Sequence, residues 1–332
     1  MSRLVLVAGV GRSGTSLMTG ILGQVGFHIP QPEINADETN PRGFGEPAWV
    51  VHFHQRVMRK LRVTVFDARP AAWDKTDALA DDPAVRSELR DWLAAELKGS
   101  EAVVVKDPRV GWFLPLWLGA AHDLGAPVSF VCMLRHPAEI LLSARKHYGD
   151  WQVDGSRASA WLNVMLETER KTREVARVFV RYDDLLADWE RTLGRAGGEL
   201  NEPLMSNATR SAFPAVDEFV DPTLRRNVAG WEDLDVPPRV RDLTERVWTE
   251  LLPLNEAGGD TPAVRSTLDS SRSEYAAMYA EAEAIAQSSV TAVRPRKAAA
   301  ATQTRPGLYV RIARRIPEHQ RKRIRRLLGR KR

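Results

Sequence analysis

The stretch Arg3–Ser16, RLVLVAGVGRSGTS, constrains the architecture more than any other part of the chain. It opens on an apolar run, Leu4-Val5-Leu6-Val7, with no polar alternation. A strand of that kind is buried on both faces, the condition of a parallel sheet covered on both sides. The run breaks into Gly9, Gly11 and Gly14, and a helical pattern follows over about 14–25. Strand, glycine turn and helix in that order make the first half of a βαβ unit. Gly9, Gly14 and Ser16 keep the spacing of a G-x-x-x-x-G-K-[ST] phosphate loop. Thr15 stands where that loop has lysine, and the cation is Arg12. Glycines still let the backbone approach an anion, and amide protons converge at the helix N-terminus. The lysine that serves the β- and γ-phosphates of ATP is missing.

The same alternation continues along the chain. Residues 30–47, rich in Pro, Asn, Gly and acids, read as a loop. Apolar spacing gives helices over about 47–62 and 84–98. A short buried strand, Ala102 to Val105, ends in Lys106-Asp107-Pro108-Arg109. An aromatic-rich helix follows over about 111–124. Pro127 to Leu134 is the next strand, and Pro137 is suited to the first turn of the helix after it. A long helix over about 156–176, a strand at Val178–Val180 and a helix over Asp183–Leu193 complete the series. Beyond residue 200 the pattern is loops and helices, so the C-terminal region is helical. The expected fold is α/β: a P-loop-like, doubly wound, mostly parallel sheet flanked by helices. The expected organisation is a main domain over 1–255, a helical extension and linker over 256–304, and a basic amphipathic tail over 305–332.

Ligands of open α/β sheets bind outside the carboxyl ends of the strands. Three predicted strands end in anion-binding groups: the Gly9–Ser16 loop with Arg12, then Lys106, then Arg135. If the strands are parallel, the three cations meet at one rim, and such a cluster calls for a polyanion. Arg135 precedes a helix that carries Ser143 about two turns on. An arginine folded along that helix makes a fork-and-hydroxyl clamp for a second phosphate.

On these residues the chain resembles the sulfotransferases that use 3′-phosphoadenosine 5′-phosphosulfate (PAPS). Arg12-Ser13-Gly14-Thr15-Ser16 is similar to that family's loop for the 5′-phosphosulfate. Arg135 and Ser143, in LRHPAEILLSARK, are similar to its pair for the 3′-phosphate. Asn40-Pro41-Arg42-Gly43-Phe44-Gly45-Glu46, Lys106-Asp107-Pro108-Arg109, Arg181-Tyr182-Asp183-Asp184-Leu185 and Asp221-Pro222-Thr223-Leu224-Arg225-Arg226 follow in the family's order. The likeness covers roughly residues 3–230. The lysine-bearing loop and late R-K-G-x-x-G-D-W-[KR] segment of many cytosolic members are absent. The chain looks closer to bacterial carbohydrate and tyrosyl-protein sulfotransferases.

The resemblance implies sulfuryl transfer from PAPS, with PAP as product, to a hydroxyl acceptor: a carbohydrate, a glycolipid or another small metabolite. The geometry is an in-line displacement without metal. It implies Gly11, Arg12, Ser13, Gly14, Thr15, Ser16, Arg135, Ser143, Tyr182, Arg225 and Arg226 at the nucleotide. Arg12, Glu46 and Lys106 are the candidate catalytic groups, with Glu46 as general base. Plainer readings stand beside these. Glu46 also suits the first turn of a helix, where a carboxylate complements the dipole. Lys106 and Arg109 also suit ion pairs with Asp107. His52 and His54, two residues apart on a helix, point in different directions and do not share a metal, and a lone histidine is the alternative to Glu46 as general base. Trp112, Phe113 and Trp117 read as core, whereas Trp49 and Trp151 flank loops and are acceptor candidates. Acceptor pockets are expected from loops 26–47, 63–83 and 205–240. The alternative functions are a P-loop kinase or nucleotide hydrolase, and a non-catalytic nucleotide-binding protein.

Charge is divided unevenly. Residues 291–332 hold 15 Lys/Arg against one acid, Glu318, so +14; the rest holds 33 against 42, so −9. The basic balance therefore belongs to the tail, and no specific nucleic-acid partner is expected for the body. Leu308, Ile312 and Ile316, then Ile324, Leu327 and Leu328, give the tail two apolar faces among arginines, a pattern suited to an anionic membrane surface. One cysteine, Cys132, excludes an intramolecular disulfide, and no run nears the ~20 apolar residues of a membrane span. The expectation is a cytoplasmic protein, with peripheral contact at the inner membrane face through residues 305–332.

Overall fold

A computed structural model describes residues 2–38, 40–149, 151–200, 204, 213–221 and 230–293. Arg225, Arg226 and the basic tail 305–332 lie outside the described residues. The chain divides into two compact units, Met1–Ala280 and Glu281–Arg332.

The first unit is built on four strands: β1 (Arg3–Ala8), β2 (Ala102–Lys106), β3 (Val128–Leu134) and β4 (Ala176–Arg181). They lie in the order β2-β1-β3-β4, and every pairing is parallel. Register places Val7 beside Lys106, and Ala8 beside Cys132. Side chains alternate between two separate cores. Leu4, Leu6, Val103, Val105, Phe130 and Cys132 face one, while Val5, Val7, Val104, Val131 and Met133 face the other. Unbroken apolar strands are what a sheet covered on both faces requires.

The helices divide between those faces. α1 (Thr15–Gln24), α8 (Tyr182–Ala187), α9 (Trp189–Glu199) and α10 (Phe213–Phe219) contribute Met18, Leu185, Leu193 and Val216 to the second core. The first core takes α2 (Ala48–Leu61), α3 (Ala72–Asp77), α4 (Pro83–Leu97), α5 (Leu114–Asp123), α6 (Pro137–Tyr148) and α7 (Asp154–Lys171). It also takes α11 (Pro238–Leu251) and the early turns of α12 (Pro262–Ile285), through Val247 and Leu268. Tyr275 of α12 donates to the carbonyl of Ala68 at 2.5 Å. In the second unit the described residues, 281–293, form the end of α12 and α13 (Gln287–Val293). No described helix is long and apolar enough to cross a membrane.

Some boundaries differ from the sequence reading, each for a local reason. The helix expected over Asp183–Leu193 is two helices, because Asp188 leaves the helical region and its carboxylate caps α9 through Arg191 N. α7 stops at Lys171 rather than near 176, because Ala176 already pairs with Ser129 in β4. The stretch 63–83 holds α3 and a 3-10 turn at Ala78–Asp81, a helix too short to show periodicity.

Candidate functional site

The order β2-β1-β3-β4 reverses direction between β1 and β3, and ligands of open α/β sheets occupy that crevice. The loop after β1 and Arg135 after β3 flank it, with Lys106 one strand further on. All three open into one cavity of about 630 Å³. The expected convergence of Arg12, Lys106 and Arg135 on a single rim is therefore what the fold produces.

The loop uses backbone conformations that most side chains avoid. Gly9, Arg12 and Gly14 have φ of 146°, 76° and 97°. Arginine at positive φ is uncommon and costs on the order of 1–3 kcal/mol, a strain found chiefly at functional sites. Here it sets the Arg12 side chain in the cavity, where Nε donates to Ser143 Oγ at 3.1 Å. Gly14 is required by space as well as by φ. A Cβ there would lie 2.3 Å from Cδ2 of Tyr182, whose ring packs against the loop. Gly11 of the loop also lines the cavity, as do Thr15 and Ser16 at the start of α1, where first-turn amides have no partner within the helix. Ser13 is set apart from it. Its amide donates to the carbonyl of Val10, and its buried hydroxyl turns beneath the loop toward Gly9.

Arg135 is held on three sides. Its Nε donates to Glu139 Oε2 at 2.8 Å, its Nη1 to the carbonyl of Arg12 at 3.1 Å, and its guanidinium lies 4.6 Å from the centre of the Tyr182 ring. The expected fold of Arg135 along the helix onto Ser143 is corrected here. Glu139, one turn nearer, takes the guanidinium, and Ser143 accepts from Arg12 instead. Both Arg135 and Ser143 still line the cavity.

Lys106 is almost fully buried. Its ammonium donates to Glu46 Oε1 at 2.5 Å, the carbonyl of Phe44 at 3.0 Å and Ser16 Oγ at 3.2 Å. Those three acceptors use all three of its protons. Glu46 lies before Pro47, outside α2, so it is not the first-turn residue of a helix. It is the carboxylate partner of Lys106 beside the loop. Asn40 Nδ2 donates to the same Ser16 hydroxyl at 3.1 Å and ties the Asn40–Glu46 segment to α1.

Asp107 points the other way, into a buried network. Arg109 donates to it from the backbone at 2.7 Å and from Nη1 at 2.9 Å. His54 lies 3.2 Å away through Nδ1, and Trp117 Nε1 lies 3.1 Å from His54 Nε2. Indole N–H can only donate, so His54 Nε2 accepts and the Nδ1 proton goes to Asp107. Burial alone would raise the Asp107 pKa, but the bond from His54 and the Arg109 charge outweigh it and hold it at about 2. The Arg109–Asp107 ion pair is thus present, and the Lys106–Asp107 pair is not. Arg109 still reaches the cavity wall. As expected, His52 and His54 diverge: His52 lines the cavity and His54 is buried.

Trp112, Phe113 and Trp117 are fully buried core. Trp151 lines the cavity and is 65% exposed. Trp49, the other acceptor candidate, does not line it. Its indole stacks on Trp92 at 4.7 Å and on Phe53 at 5.0 Å, packing that takes it away from the cavity. Sequence reasoning missed His147 and Tyr148, which line the wall beyond Ser143. A signal was present: Arg135, Glu139, Ser143 and His147 recur every four residues, the spacing of one helix face. Among the described residues no group of three or more His, Cys, Asp or Glu could hold a metal ion.

Residues 5–206 match the family model described as "Sulfotransferase family". Two solved structures are similar over most of their length. The sulfotransferase domain from the Synechococcus PCC 7002 olefin synthase is 16% identical, with a TM-score of 0.42, covering 75% of this chain and 94% of that one. The sulfotransferase domain from the curacin biosynthetic pathway is 13% identical, with a TM-score of 0.42, covering 76% of this chain and 98% of that one. Among curated proteins none matches the chain. The family match spans more than half of the residues, and the chain belongs to the sulfotransferase family.

Proposed function

We propose that the protein transfers a sulfuryl group from PAPS to the hydroxyl of an acceptor drawn from glycans, glycolipids and small metabolites. The reading is supported by one observation above the others: Arg12, Lys106 and Arg135, from the ends of three parallel strands, line one cavity. PAPS carries anionic groups at both ends of its ribose, and the site offers cations for both. The first-turn amides of α1 with Arg12 suit the 5′-phosphosulfate. Arg135 and Ser143 suit the 3′-phosphate. Holding that phosphate draws on groups already engaged, since Arg135 is bonded to Glu139 and Ser143 to Arg12.

In the step itself the acceptor oxygen forms a bond to sulfur. The bond from sulfur to the bridging oxygen breaks, and its electron pair leaves on the phosphate of PAP. Glu46 takes the hydroxyl proton. Arg12 stabilises the charge that develops on the sulfuryl and leaving oxygens, and Lys106, its three protons engaged within the protein, contributes through its charge. The Lys106–Glu46 contact holds the carboxyl group next to the cation. Thr15 in place of a P-loop lysine speaks against ATP-type phosphoryl transfer.

The test is transfer of labelled sulfate from PAPS to a panel of hydroxyl compounds. Wild type turns over at least one of them, and Arg12→Ala lowers the rate by about 10²–10³. An Arg12→Ala enzyme with unchanged PAP affinity and rate would overturn the assignment. The proposal extends to the tail as a contact with anionic membrane. Full-length protein then co-sediments with anionic vesicles and protein ending at residue 290 does not; equal, low binding by both removes that part.

A further inference from the structure

The cavity changes character away from its cations. Beyond the Lys106–Glu46 pair, its described wall includes Ile34, Val51, Val65, Phe66, Tyr148 and Trp151. Phe66 and Tyr148 stand over the phosphate loop: a Cβ at Gly11 would lie 3.4 Å from Phe66 Cζ and 3.9 Å from the Tyr148 hydroxyl. Their rings contact each other at 5.9 Å, and Tyr148 feels the charges of Arg12, Glu46 and Arg109. The apolar wall therefore begins where transfer takes place, and Trp151 extends it to the mouth.

This wall is held in place by polar contacts behind it. The Asp67 carboxylate accepts from Arg69 N and Thr64 N, which closes a turn around Phe66. Gln152 Nε2 donates to the carbonyl of Phe66 at 3.2 Å and to Ser156 Oγ at 2.8 Å. Arg145 donates to Asp154 at 2.8 Å, and Arg157 donates to the carbonyl of Gly149. Trp151 thus sits between two anchored helix ends, yet is 65% exposed. A tryptophan held toward solvent at a cavity mouth forgoes a large burial energy unless something covers it.

An acceptor with several hydroxyls would set those that face Phe66, Val65 and Trp151 against carbon. Each buried hydroxyl without a partner is penalised, whereas an apolar body gains by losing contact with water. Of the polar groups near the transfer point, Arg109 is committed to Asp107, and Glu46 is left to meet one hydroxyl.

We infer that the acceptor is an alcohol with an apolar body, aryl or alkyl, whose single hydroxyl meets Glu46 while Phe66, Tyr148 and Trp151 cover the rest. This rests on the sulfotransfer reading above and narrows it. The transfer step is the one already written, with the acceptor proton passing to Glu46 and PAP leaving.

The experiment measures sulfate transfer from PAPS to 2-naphthol and 1-octanol against methyl glucoside and trehalose, with PAP affinity by calorimetry in parallel. The expected result is a kcat/KM about tenfold or more higher for the apolar pair. Trp151→Ala raises KM for 2-naphthol by about tenfold with kcat and PAP affinity little changed, and Trp151→Phe recovers part of the loss. Preference for the polyols, no turnover of the apolar pair, or an unchanged KM in Trp151→Ala overturns the inference, while intact PAP binding leaves the donor reading standing. Loss of PAP binding in the wild type would overturn both.

Discussion

Residue types and spacing revealed the cations of this site, and the partners of those cations depended on the fold. Arg12, Lys106 and Arg135 could be named because each follows a strand. That Glu46 would neutralise Lys106 could not, since 60 residues separate them and only the fold of the intervening chain joins them. Glu46→Gln keeps the side-chain shape and removes the proposed base. It is expected to lower kcat by about 10²–10⁴, with PAP affinity equal or tighter because a negative charge has left an anion site. Single-turnover kinetics check this, and full turnover would remove Glu46 from the role. Asp107 supports a second prediction. Its folded pKa of about 2 lies below the ordinary value of 3.8, so its stabilisation is complete above the unfolded value and is lost as pH falls through about 2. Denaturant midpoints should therefore fall more steeply between pH 5 and pH 3 in wild type than in Asp107→Asn, which should also be less stable at pH 7. Parallel pH profiles would contradict the buried network.

At the scale of elements, the strands were the legible part because a sheet buried on both faces writes continuous apolar runs. β1, β2 and β3 follow those runs within a residue or two. Helix ends were less legible, since they answer to caps and tertiary contacts. Asp188 divides α8 from α9 so that Trp189 can bury beside Phe213 and α1. The loop–α1 junction also depends on a contact made far along the chain, where the Tyr182 ring occupies the space above Gly14. Gly14→Ala meets both that ring and a φ of 97°, and should cost about 2 kcal/mol while weakening PAP binding. Thermal unfolding with and without PAP measures it; an unchanged midpoint would mean that the loop is not held as described. Tyr182 is thereby a packing residue of the site that also lies under Arg135.

On the scale of the whole molecule, local placement matters more than net charge. Residues 1–290 carry −9, yet the cavity gathers Arg12, Arg42, Lys106, Arg109 and Arg135 at one end of one sheet. Against these five cations the described lining sets only Glu46 and Asp221, so an acidic body still presents a locally basic cleft, which suits an anionic ligand. The parallel order β2-β1-β3-β4 makes this possible, because it brings residues 12, 106 and 135 to the same edge. The central claim is that this edge has two phosphate sites spaced for one nucleotide. Calorimetric titration of wild type with PAP and with adenosine 5′-phosphate tests it most directly. The account predicts one saturable PAP site, binding of the monophosphate at least about tenfold weaker, and loss of that difference in Arg135→Ala. Equal affinity for the two nucleotides, or no heat with PAP, would contradict it.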